Sequence, residues 1–385
     1  MSESNGKARY IMIGGFLGAG KSTSILKLAT YLMTKGKSVG LITNDQSVGL
    51  VDTEMLRSHD LEVEEIAGGC FCCRFDSLVE AAVKLSEHSR PDIFLAEPVG
   101  SCTDLVASVS YPLRRIYGDD YSIAPLSVLV DPNRALNIMG VEDGKSFSDK
   151  VKYIYKKQLE EAHIIVINKR ELLDDDRLAK LTDALRDAFP DKKVVAVSAR
   201  HGTGLDEWFE SIADAEMQVG ETMELDYEVY ADGEALLGWL NSTIAFNAAQ
   251  PIDGEVVMMD LAADVQKTLQ AGEYEVAHFK MTLAREGGAG DVAVLNLVNN
   301  TYVPELSQSL FDKIERGQLI VNIRAEGPPE VLKEALTSAI ARRIEAHEGL
   351  SLDVDHLEHL RPGKPEPTYR MALTDMTTSG GGGEA

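Results

Sequence analysis

The sequence predicts an α/β protein: a doubly wound, mostly parallel sheet, followed by a smaller α+β domain and a flexible C-terminal tail. Two observations predict this arrangement. Between residues 10 and 212, short apolar runs alternate with amphipathic stretches, as expected when parallel strands are buried on both faces and joined by helices. After residue 213 the apolar runs cluster together, which favours a separate, mostly antiparallel sheet.

Six apolar runs are the predicted strands of the first sheet. Between the first two, Ile25, Leu28, Ala29 and Leu32 recur at helical spacing, and this pattern ends at Gly36, a residue suited to a C-terminal cap. The six runs span residues 10–13, 39–43, 93–96, 126–130, 164–167 and 194–197.

The second domain and the tail are predicted from less regular patterns. We expect domain boundaries of 1–215, 222–349 and 350–385. The last part contains three prolines and the run Gly380 to Gly383, so we expect it to be extended or disordered. Predicted strands of the second domain are 225–230, 274–283, 292–298 and 319–323, and its predicted helices are 234–245, 262–271 and 330–346.

Composition excludes some classes of function. The chain has 385 residues and a formal net charge of −24, which argues against binding nucleic acid or an anionic membrane. No apolar run approaches the roughly 18 residues needed to span a bilayer, and the first nine residues are polar. Three of the four cysteines lie too close together for a disulfide framework. We therefore expect a cytoplasmic protein with reduced thiols.

A complete phosphate-binding loop follows the first strand and opens the first helix, which indicates a P-loop NTPase fold. Its glycines let backbone N–H groups approach the phosphates, Lys21 would neutralise the β and γ phosphates as the catalytic cation, and Ser22 would coordinate Mg²⁺. The predicted nucleotide-binding residues here are Gly15, Gly18, Ala19, Gly20, Lys21, Ser22 and Thr23.

A second buried strand ends in Glu97 and is followed by Gly100. An acid at this position holds Mg²⁺, directly or through water, or orients the attacking water, so Glu97 is the second predicted catalytic residue. The N–H of Gly100 is placed to sense the γ phosphate.

The base site is predicted at the ends of the last two strands of the first sheet. Asn168 and Lys169 would contact the guanine edge and cover the ring, and Glu171 would accept hydrogen bonds that adenine cannot offer. Ser198 and Ala199 would supply a backbone contact near the base oxygen. The usual acid at the fourth position of this motif, residues 168–171, is aspartate, so Glu171 leaves room for an ATPase or a small-molecule kinase. GTP is the favoured nucleotide.

Three thiols, Cys70, Cys72 and Cys73, lie within four positions. Thiolates select soft or borderline ions such as zinc. A structural zinc site normally adds a second cysteine pair, which this sequence lacks, so an open site that releases its ion is expected. Packing as small hydrophobes or redox chemistry are the alternatives.

Together, the sequence from Gly14 to Thr23, the Cys-x-Cys-Cys motif at Cys70 to Cys73, and Glu97 with Gly100 resemble the CobW/HypB/UreG superfamily of P-loop GTPases, most closely its CobW-like metal-chaperone branch. The resemblance covers residues 8 to 212. It implies a GTPase that uses Mg²⁺ and GTP hydrolysis to gate the transfer of zinc or cobalt, or of a metallocofactor, to a client metalloprotein or metallocofactor enzyme.

The chain departs from the family pattern at two places. In the predicted switch I, Asp45 is retained as a candidate metal ligand, but Gln46, Ser47 and Val48 replace residues that include a family glutamate. Cys102, in the predicted switch II, is unusual for the family, and we expect it to complete a four-thiolate shell in one nucleotide state. Packing as a buried structural cysteine is its alternative role.

The second domain matches no family motif, and we expect it to select the client or to form a homodimer. A nucleotide-regulated scaffold that carries no metal is the remaining alternative to a metallochaperone.

Overall fold

The computed structural model describes residues 7–44, 61–66, 68–288 and 290–377. Within these residues the first domain is built on an eight-stranded parallel sheet with the order β3-β2-β4-β1-β6-β7-β8, and β5 pairs with the N-terminal half of β1. The strands are β1 (Ala8–Gly15), β2 (Val39–Asn44), β3 (Val63–Ile66), β4 (Ile93–Glu97), β5 (Tyr121–Ile123), β6 (Ser127–Val130), β7 (Ile164–Ile167) and β8 (Lys193–Ala196). All six predicted strands of this sheet are confirmed.

Helices cover both faces of the parallel sheet, which is why its strands read as continuous apolar runs. They are α1 (Lys21–Thr34), α2 (Phe75–His88), α3 (Tyr111–Ile116), α4 (Pro132–Ile138), α5 (Asp149–Glu161), α6 (Asp175–Ala188) and α7 (Leu205–Ala213). A π-helix at Val106–Ser110 precedes α3, and a 3-10 turn at Arg170–Leu172 follows β7. α1 and α7 pack on one face, whereas α2, α4 and α5 contribute to the core on the other.

The second domain is an antiparallel sheet of six strands in the order β12-β11-β10-β13-β9-β14. α8 (Tyr227–Leu236) packs against α5 of the first domain and leads into this second domain. The elements of the second domain are β9 (Leu237–Ile252), α9 (Gly254–Ala271), β10 (Glu275–Arg285), β11 (Val292–Leu297), β12 (Glu305–Gln308), β13 (Ile314–Glu326), α10 (Pro329–Ala346) and β14 (Leu350–Leu360). Alternate residues such as Phe279, Met281 and Leu283 face α9 and α10.

Two predicted elements of this domain are wrong. Residues 225–230, expected as a strand, begin α8, because the Asp226 carboxylate caps it by accepting hydrogen bonds from the N–H groups of Glu228 and Val229. Residues 234–245, expected as a helix, span the end of α8 and the start of β9. β9 is held between β13 and β14, and these long-range pairings outweigh local helical spacing.

The chain after α10 is more ordered than expected. Residues 350–360, which the sequence analysis placed in an extended or disordered tail, form β14 and pair with β9. Residues 361–371, here called the C-terminal strap, then run back over the first domain and lead into the short helix α11 (Leu373–Thr377). In the described part of the chain, every helix is too short or too polar to cross a bilayer.

Candidate functional site

The phosphate-binding loop lies between β1 and α1, at the carboxyl end of the parallel sheet. Gly15, Gly18 and Gly20 have φ angles of 128°, 79° and 93°, a region that side chains rarely adopt. A Cβ on Gly15 would lie 2.4 Å from the Leu129 carbonyl oxygen, and one on Gly20 would lie 2.4 Å from the Asn168 amide nitrogen. The loop therefore requires glycine at these positions for both conformation and space.

Lys21, Ser22 and Glu97 meet at the start of α1, and all three are buried. The Ser22 hydroxyl donates to Glu97 Oε1 at 3.0 Å, and Lys21 Nζ lies 4.0 Å from the same oxygen. A hydroxyl and a carboxylate this close are oxygen ligands of the type that Mg²⁺ prefers. The residues present therefore fit the predicted magnesium site.

Asn168 and Lys169 reach from the end of β7 to the phosphate-binding loop. The Asn168 amide donates to the Ala19 carbonyl at 2.9 Å, and its oxygen accepts from the Ala199 N–H at 3.0 Å. Lys169, in the left-handed conformation with φ 54°, donates to the Gly18 carbonyl at 2.7 Å. The predicted base-binding residues thus also fix the shape of the loop.

Asp131, which follows β6, holds Lys169 in place through a 2.9 Å ion pair and caps α4 by accepting from the Arg134 N–H at 3.1 Å. Burial raises the pKa of this carboxyl, but Lys169 and Arg134 outweigh that effect and leave the pKa below its usual value. Asp131 is therefore an ionised, buried anchor. Asp131 was not among the residues predicted from the sequence, although a polar residue at the end of a buried strand was the same signal that identified Glu97.

Four of the remaining predicted nucleotide residues line one cavity of about 390 Å³. Thr23 and Glu171 are exposed at its edge, whereas Gly100 and Ala199 are buried in its wall. Ser198 lies next to Ala199 and accepts from the Gly202 N–H at 2.8 Å through its carbonyl, in a tight turn after β8. The structure therefore brings the phosphate and base residues together around one space.

The second domain forms part of the wall of this cavity, which the sequence analysis did not expect. Residues of β9 to β12 and their connections line it: Trp239, His278, Lys280, Asn296, Val298, Tyr302, Val303, Glu305 and Ser307. A Cβ on Gly18 would lie 3.0 Å from the Ala277 carbonyl oxygen and 3.1 Å from Val298 Cβ. The phosphate-binding loop is therefore in direct contact with the second sheet.

Arg134 joins the two domains at this point. Its buried guanidinium donates to the Leu17 carbonyl in the phosphate-binding loop and to the carbonyls of Ala277 and Val298 in the second sheet, the Ala277 bond being 3.1 Å. It also lies over the ring of Phe147, 5.0 Å from its centroid. Sequence patterns carry no signal for such a residue, because its partners are backbone oxygens.

The three clustered thiols converge at the start of α2. The loop of residues 68–74, here called the thiol loop, turns tightly: Gly68 and Gly69 have positive φ, and the Cys73 N–H donates to the Cys70 carbonyl at 3.0 Å. The sulfur of Cys70 lies 2.7 Å from that of Cys72 and 3.1 Å from that of Cys73, and the Cys72 and Cys73 sulfurs are 3.7 Å apart. All four cysteines are free.

These separations fit a soft metal ion. Tetrahedral zinc with Zn–S bonds of about 2.3 Å holds its sulfurs about 3.8 Å apart, so the Cys72–Cys73 pair already has that spacing and Cys70 needs to shift by about 1 Å. Hydrogen bonds from Cys102, Cys72 and Cys73 hold the pKa of the Cys70 thiol well below its usual value, despite burial. Cys70 is therefore the thiol best suited to ligate as a thiolate.

Cys102 lies beside this cluster, close enough to Cys70 to shift the pKa of its thiol. It is fully buried, and the Gln158 amide donates to its carbonyl at 2.8 Å and to that of Gly100 at 3.0 Å. Among the described residues, the three thiols of the thiol loop are the one group of three or more potential ligands close enough to share an ion. Of the predicted switch I, residues 43–52, the part from Asp45 to Asp52 lies outside the described residues.

Two short connections link the thiol loop to the nucleotide cavity. Asn44, which lines the cavity, donates through its amide to the carbonyls of Gly69 at 2.6 Å and Ile66 at 3.0 Å. Gly100 also lines the cavity, and Cys102 lies two residues further along the chain. A change at the phosphates can thus reach the thiols through the side chain of Asn44 alone, or through the two residues of backbone from Gly100 to Cys102.

The C-terminal strap covers the thiol loop. The Glu366 N–H donates to the Cys73 sulfur at 3.2 Å, and the Thr368 N–H donates to the Cys72 carbonyl at 2.8 Å. Tyr369 packs edge-on against Phe75, with ring centroids 5.2 Å apart. This contact could not be predicted from the sequence, because a proline-containing segment without periodicity carries no signal for its docking partner.

Comparison with known proteins supports the predicted resemblance. Residues 9–196 match the family described as CobW/HypB/UreG, nucleotide-binding domain. The chain is 28% identical over 216 residues to the zinc chaperone CobW of a Sinorhizobium species, which covers 51% of this chain and 60% of that protein. It is 30% identical over 166 residues to the zinc chaperone YeiR of Escherichia coli K12, which covers 42% of this chain and 47% of that protein. The matches therefore span about half the length of these relatives.

Solved structures show weaker similarity. The hydrogenase maturation factor HypB from Archaeoglobus fulgidus is 21% identical, with a TM-score of 0.37, and the match covers 54% of this chain and 88% of that one. Zn(II)-bound YjiA GTPase from E. coli is 14% identical, with a TM-score of 0.36, and the match covers 87% of this chain and 99% of that one.

Proposed function

Because residues 9–196 match the family of CobW/HypB/UreG nucleotide-binding domains, we propose that the protein is a Mg²⁺-dependent GTPase that acts as a metallochaperone. In this proposal, GTP binding and hydrolysis control the transfer of zinc, or of cobalt or a metallocofactor, to a client protein. The observation that carries the proposal is the pair of short connections between the nucleotide cavity and the three thiols, through Asn44 and through Gly100 to Cys102.

The nucleotide chemistry rests on the residues at the carboxyl ends of the strands. Lys21 neutralises phosphate charge, and backbone N–H groups of the phosphate-binding loop cradle the phosphates. Ser22 and Glu97 would hold Mg²⁺, which when bound offsets the negative charge that develops on the phosphates. Asn168, Lys169 and Glu171 would select guanine. Because Asn168 and Lys169 also bond the loop, base recognition and phosphate geometry depend on each other.

The cargo chemistry rests on the thiol loop. Cys70, Cys72 and Cys73 would bind the ion, and Cys102 would complete the shell in one nucleotide state. Cys102 follows the segment that contacts the nucleotide, so a movement of Gly100 on loss of the γ phosphate would carry the fourth thiol with it. Two curated zinc chaperones among the relatives support zinc as the cargo.

The decisive experiment measures zinc affinity by chelator competition, with the protein bound to GDP and to the non-hydrolysable analogue GMPPNP. We expect the two affinities to differ by at least about tenfold, the size of a typical coupling between two sites. Cys102→Ser should abolish that difference while Cys70, Cys72 and Cys73 still bind the ion. Equal affinities in both states of the wild type would refute coupling, and an unchanged difference in Cys102→Ser would refute the role of that residue.

Two further measurements separate the alternatives. A site that hydrogen-bonds guanine should bind GTP at least about 100-fold more tightly than ATP, whereas an ATPase or kinase would not. Metal analysis of protein purified without oxygen, with and without Cys70, Cys72 and Cys73 replaced by serine, separates a metal carrier from a scaffold or a redox loop. Capture of partners by the GMPPNP-bound protein would then identify the client.

A further inference from the structure

The second sheet has one face that is polar and yet buried. On β10, His278 and Lys280 point away from α9 and α10, because their neighbours Phe279 and Met281 are in the apolar core. The antiparallel pairing places Asn296 and Asn322 opposite Lys280, and Arg324 opposite His278.

Much of this face is shielded from water, unlike the outer face of many antiparallel sheets, although Lys280 and Asn296 are only half-buried. His278 is 7% exposed, Asn322 is 4% exposed and Arg324 is fully buried. Burying polar groups is costly unless they are paired or serve a ligand, so such a face requires an explanation. Part of the explanation is internal, because Arg324 lies 3.9 Å from the ring centroid of Trp239 and donates to Asn241 at 2.8 Å.

The position of this face beside the nucleotide cavity also explains why it is polar. His278, Lys280, Asn296 and Trp239 line the same cavity as Lys21 and Ser22. The contacts of Gly18 with Ala277 and Val298 leave little space between the phosphate-binding loop and the start of β10. The polar face is therefore opposite the phosphates of any nucleotide held by the loop.

The electrostatics of this wall suit an anion. Burial and the positive charges of Lys280, Arg324, Lys21 and Arg134 hold the pKa of His278 well below its usual value. Four positively charged side chains therefore surround one neutral histidine, although the chain as a whole has a net charge of −24. A polyphosphate is the ligand whose charge matches such a wall.

The indole of Trp239 is a second, independent indication that a hydrogen-bond acceptor binds in this cavity. Its side chain is 1% exposed and borders the cavity, and its indole N–H has no hydrogen-bond acceptor among the described residues. Buried indole N–H groups usually have a partner.

We propose that the polar face of the second sheet is the second wall of the nucleotide site, and that Lys280 binds the terminal phosphate of a nucleoside triphosphate. This inference rests on the nucleotide-binding part of the proposed function and extends it: the second domain distinguishes a triphosphate from a diphosphate directly. Loss of the terminal phosphate removes this contact of Lys280 across the cavity and thereby weakens the contact between the domains.

The test compares nucleotide affinities of the full-length protein by fluorescence titration with labelled GMPPNP and GDP. We expect Lys280→Ala to weaken GMPPNP binding on the order of 10-fold and GDP binding by less than about 2-fold, because a charge-assisted hydrogen bond to the terminal phosphate is lost. Lys280→Arg should restore most of the preference for the triphosphate. Lys333→Ala, which removes an exposed lysine from α10 on the other side of the sheet, is the matched control and should change neither affinity.

The outcomes separate this inference from the proposed function. If the wild type binds GMPPNP and GDP but Lys280→Ala weakens both equally, or neither, the inference is refuted and the GTPase proposal stands. If the wild type binds no guanine nucleotide, both are refuted. Should Lys280→Ala fail to fold, as a lowered melting temperature would show, Lys280→Gln keeps a polar side chain of similar length without the charge and is expected to show the same selective loss.

Discussion

At the scale of single residues, several side chains form hydrogen bonds or ion pairs with two separate segments of the chain. Asn168 bonds the phosphate-binding loop and the turn after β8, and Asp131 holds Lys169 while it caps α4. The sequence predicted the chemistry of Asn168 and Lys169 from their position after a buried strand. It did not predict their bonds to the carbonyls of Gly18 and Ala19, because backbone acceptors leave no trace in residue type.

Glu161 leads to a prediction about pH. It is buried, accepts hydrogen bonds from the Thr103 hydroxyl at 2.9 Å and the Val106 N–H at 3.1 Å, and burial together with Asp104 raises its pKa to about 8. A glutamate in the unfolded chain titrates near 4.5, so between about pH 4.5 and 8 folding takes up a proton at this site. The stability that this group contributes is therefore complete below pH 4.5 and is lost as the pH rises to about 8.

We expect Glu161→Gln to remove this pH dependence, because a neutral amide can bond both Thr103 and Val106 once the threonine hydroxyl rotates. Relative to the wild type, the variant should gain stability between pH 5 and pH 8, measured as the shift in urea midpoint. Glu210→Gln, at an exposed position of α7, is the control. A constant difference between variant and wild type across this range would contradict the raised pKa.

At the scale of elements, the strands of the parallel sheet were predictable because they are apolar on both faces, and the phosphate-binding loop because its spacing is chemically specific. The second sheet was less predictable. β9 pairs with β13 and β14, whose partner residues lie between about 60 and 120 positions away in the chain, and its leucines also fit helical spacing. Where the partners of a segment are distant, local pattern alone cannot choose between strand and helix.

The C-terminal strap gives a prediction at the same scale. Arg370 fastens it through an ion pair with the buried Asp104 at 2.8 Å and a hydrogen bond to the Met223 carbonyl at 3.0 Å. Arg370→Ala should release the strap locally and expose the half-buried Cys73. We expect Cys73 to be alkylated about five times faster, corresponding to about 1 kcal/mol for the lost contacts.

Peptide mass spectrometry after timed exposure to iodoacetamide measures this rate for each cysteine. Arg186→Ala, at an exposed position of α6, serves as the matched control and should leave the rate unchanged. Cys102, buried beneath the loop, should remain slow in all variants. If Cys73 reacts at the same rate in Arg370→Ala and in the control, the strap does not limit access to the thiols.

At the scale of the whole molecule, Arg134 is the main connection between the nucleotide loop and the second sheet. Truncating this buried cation leaves the carbonyls of Leu17, Ala277 and Val298 without their donor, which costs about 3 kcal/mol. We expect Arg134→Ala to separate the unfolding of the two domains, so that calorimetry shows two transitions. Nucleotide should then raise the melting temperature of the first domain only.

The exposed Arg316 offers a control of the same residue type, and Arg316→Ala should unfold as the wild type does. If nucleotide stabilises the second domain of Arg134→Ala as strongly as it stabilises that of the wild type, Arg134 is not the connection. The sequence could not have shown this residue, since it lies in a short helix with no motif and its importance comes only from the packing of one domain on another.

Within the described residues the chain crosses between the domains twice, and the two crossings lie side by side. The first is at the junction of α8 and β9, and the second follows β14, where Leu360 pairs with Trp239 and Arg361 bonds the Ala235 carbonyl. The opposite edge of the second sheet touches the first domain through the exposed ion pair of Arg200 with Glu305, 2.5 Å long, near the base end of the cavity. The two domains can therefore hinge at the paired crossings, with the Arg200–Glu305 ion pair at the opposite edge. A hinge opening that keeps the crossings in place separates the domains first at that edge, so it exposes the base site before the phosphate site.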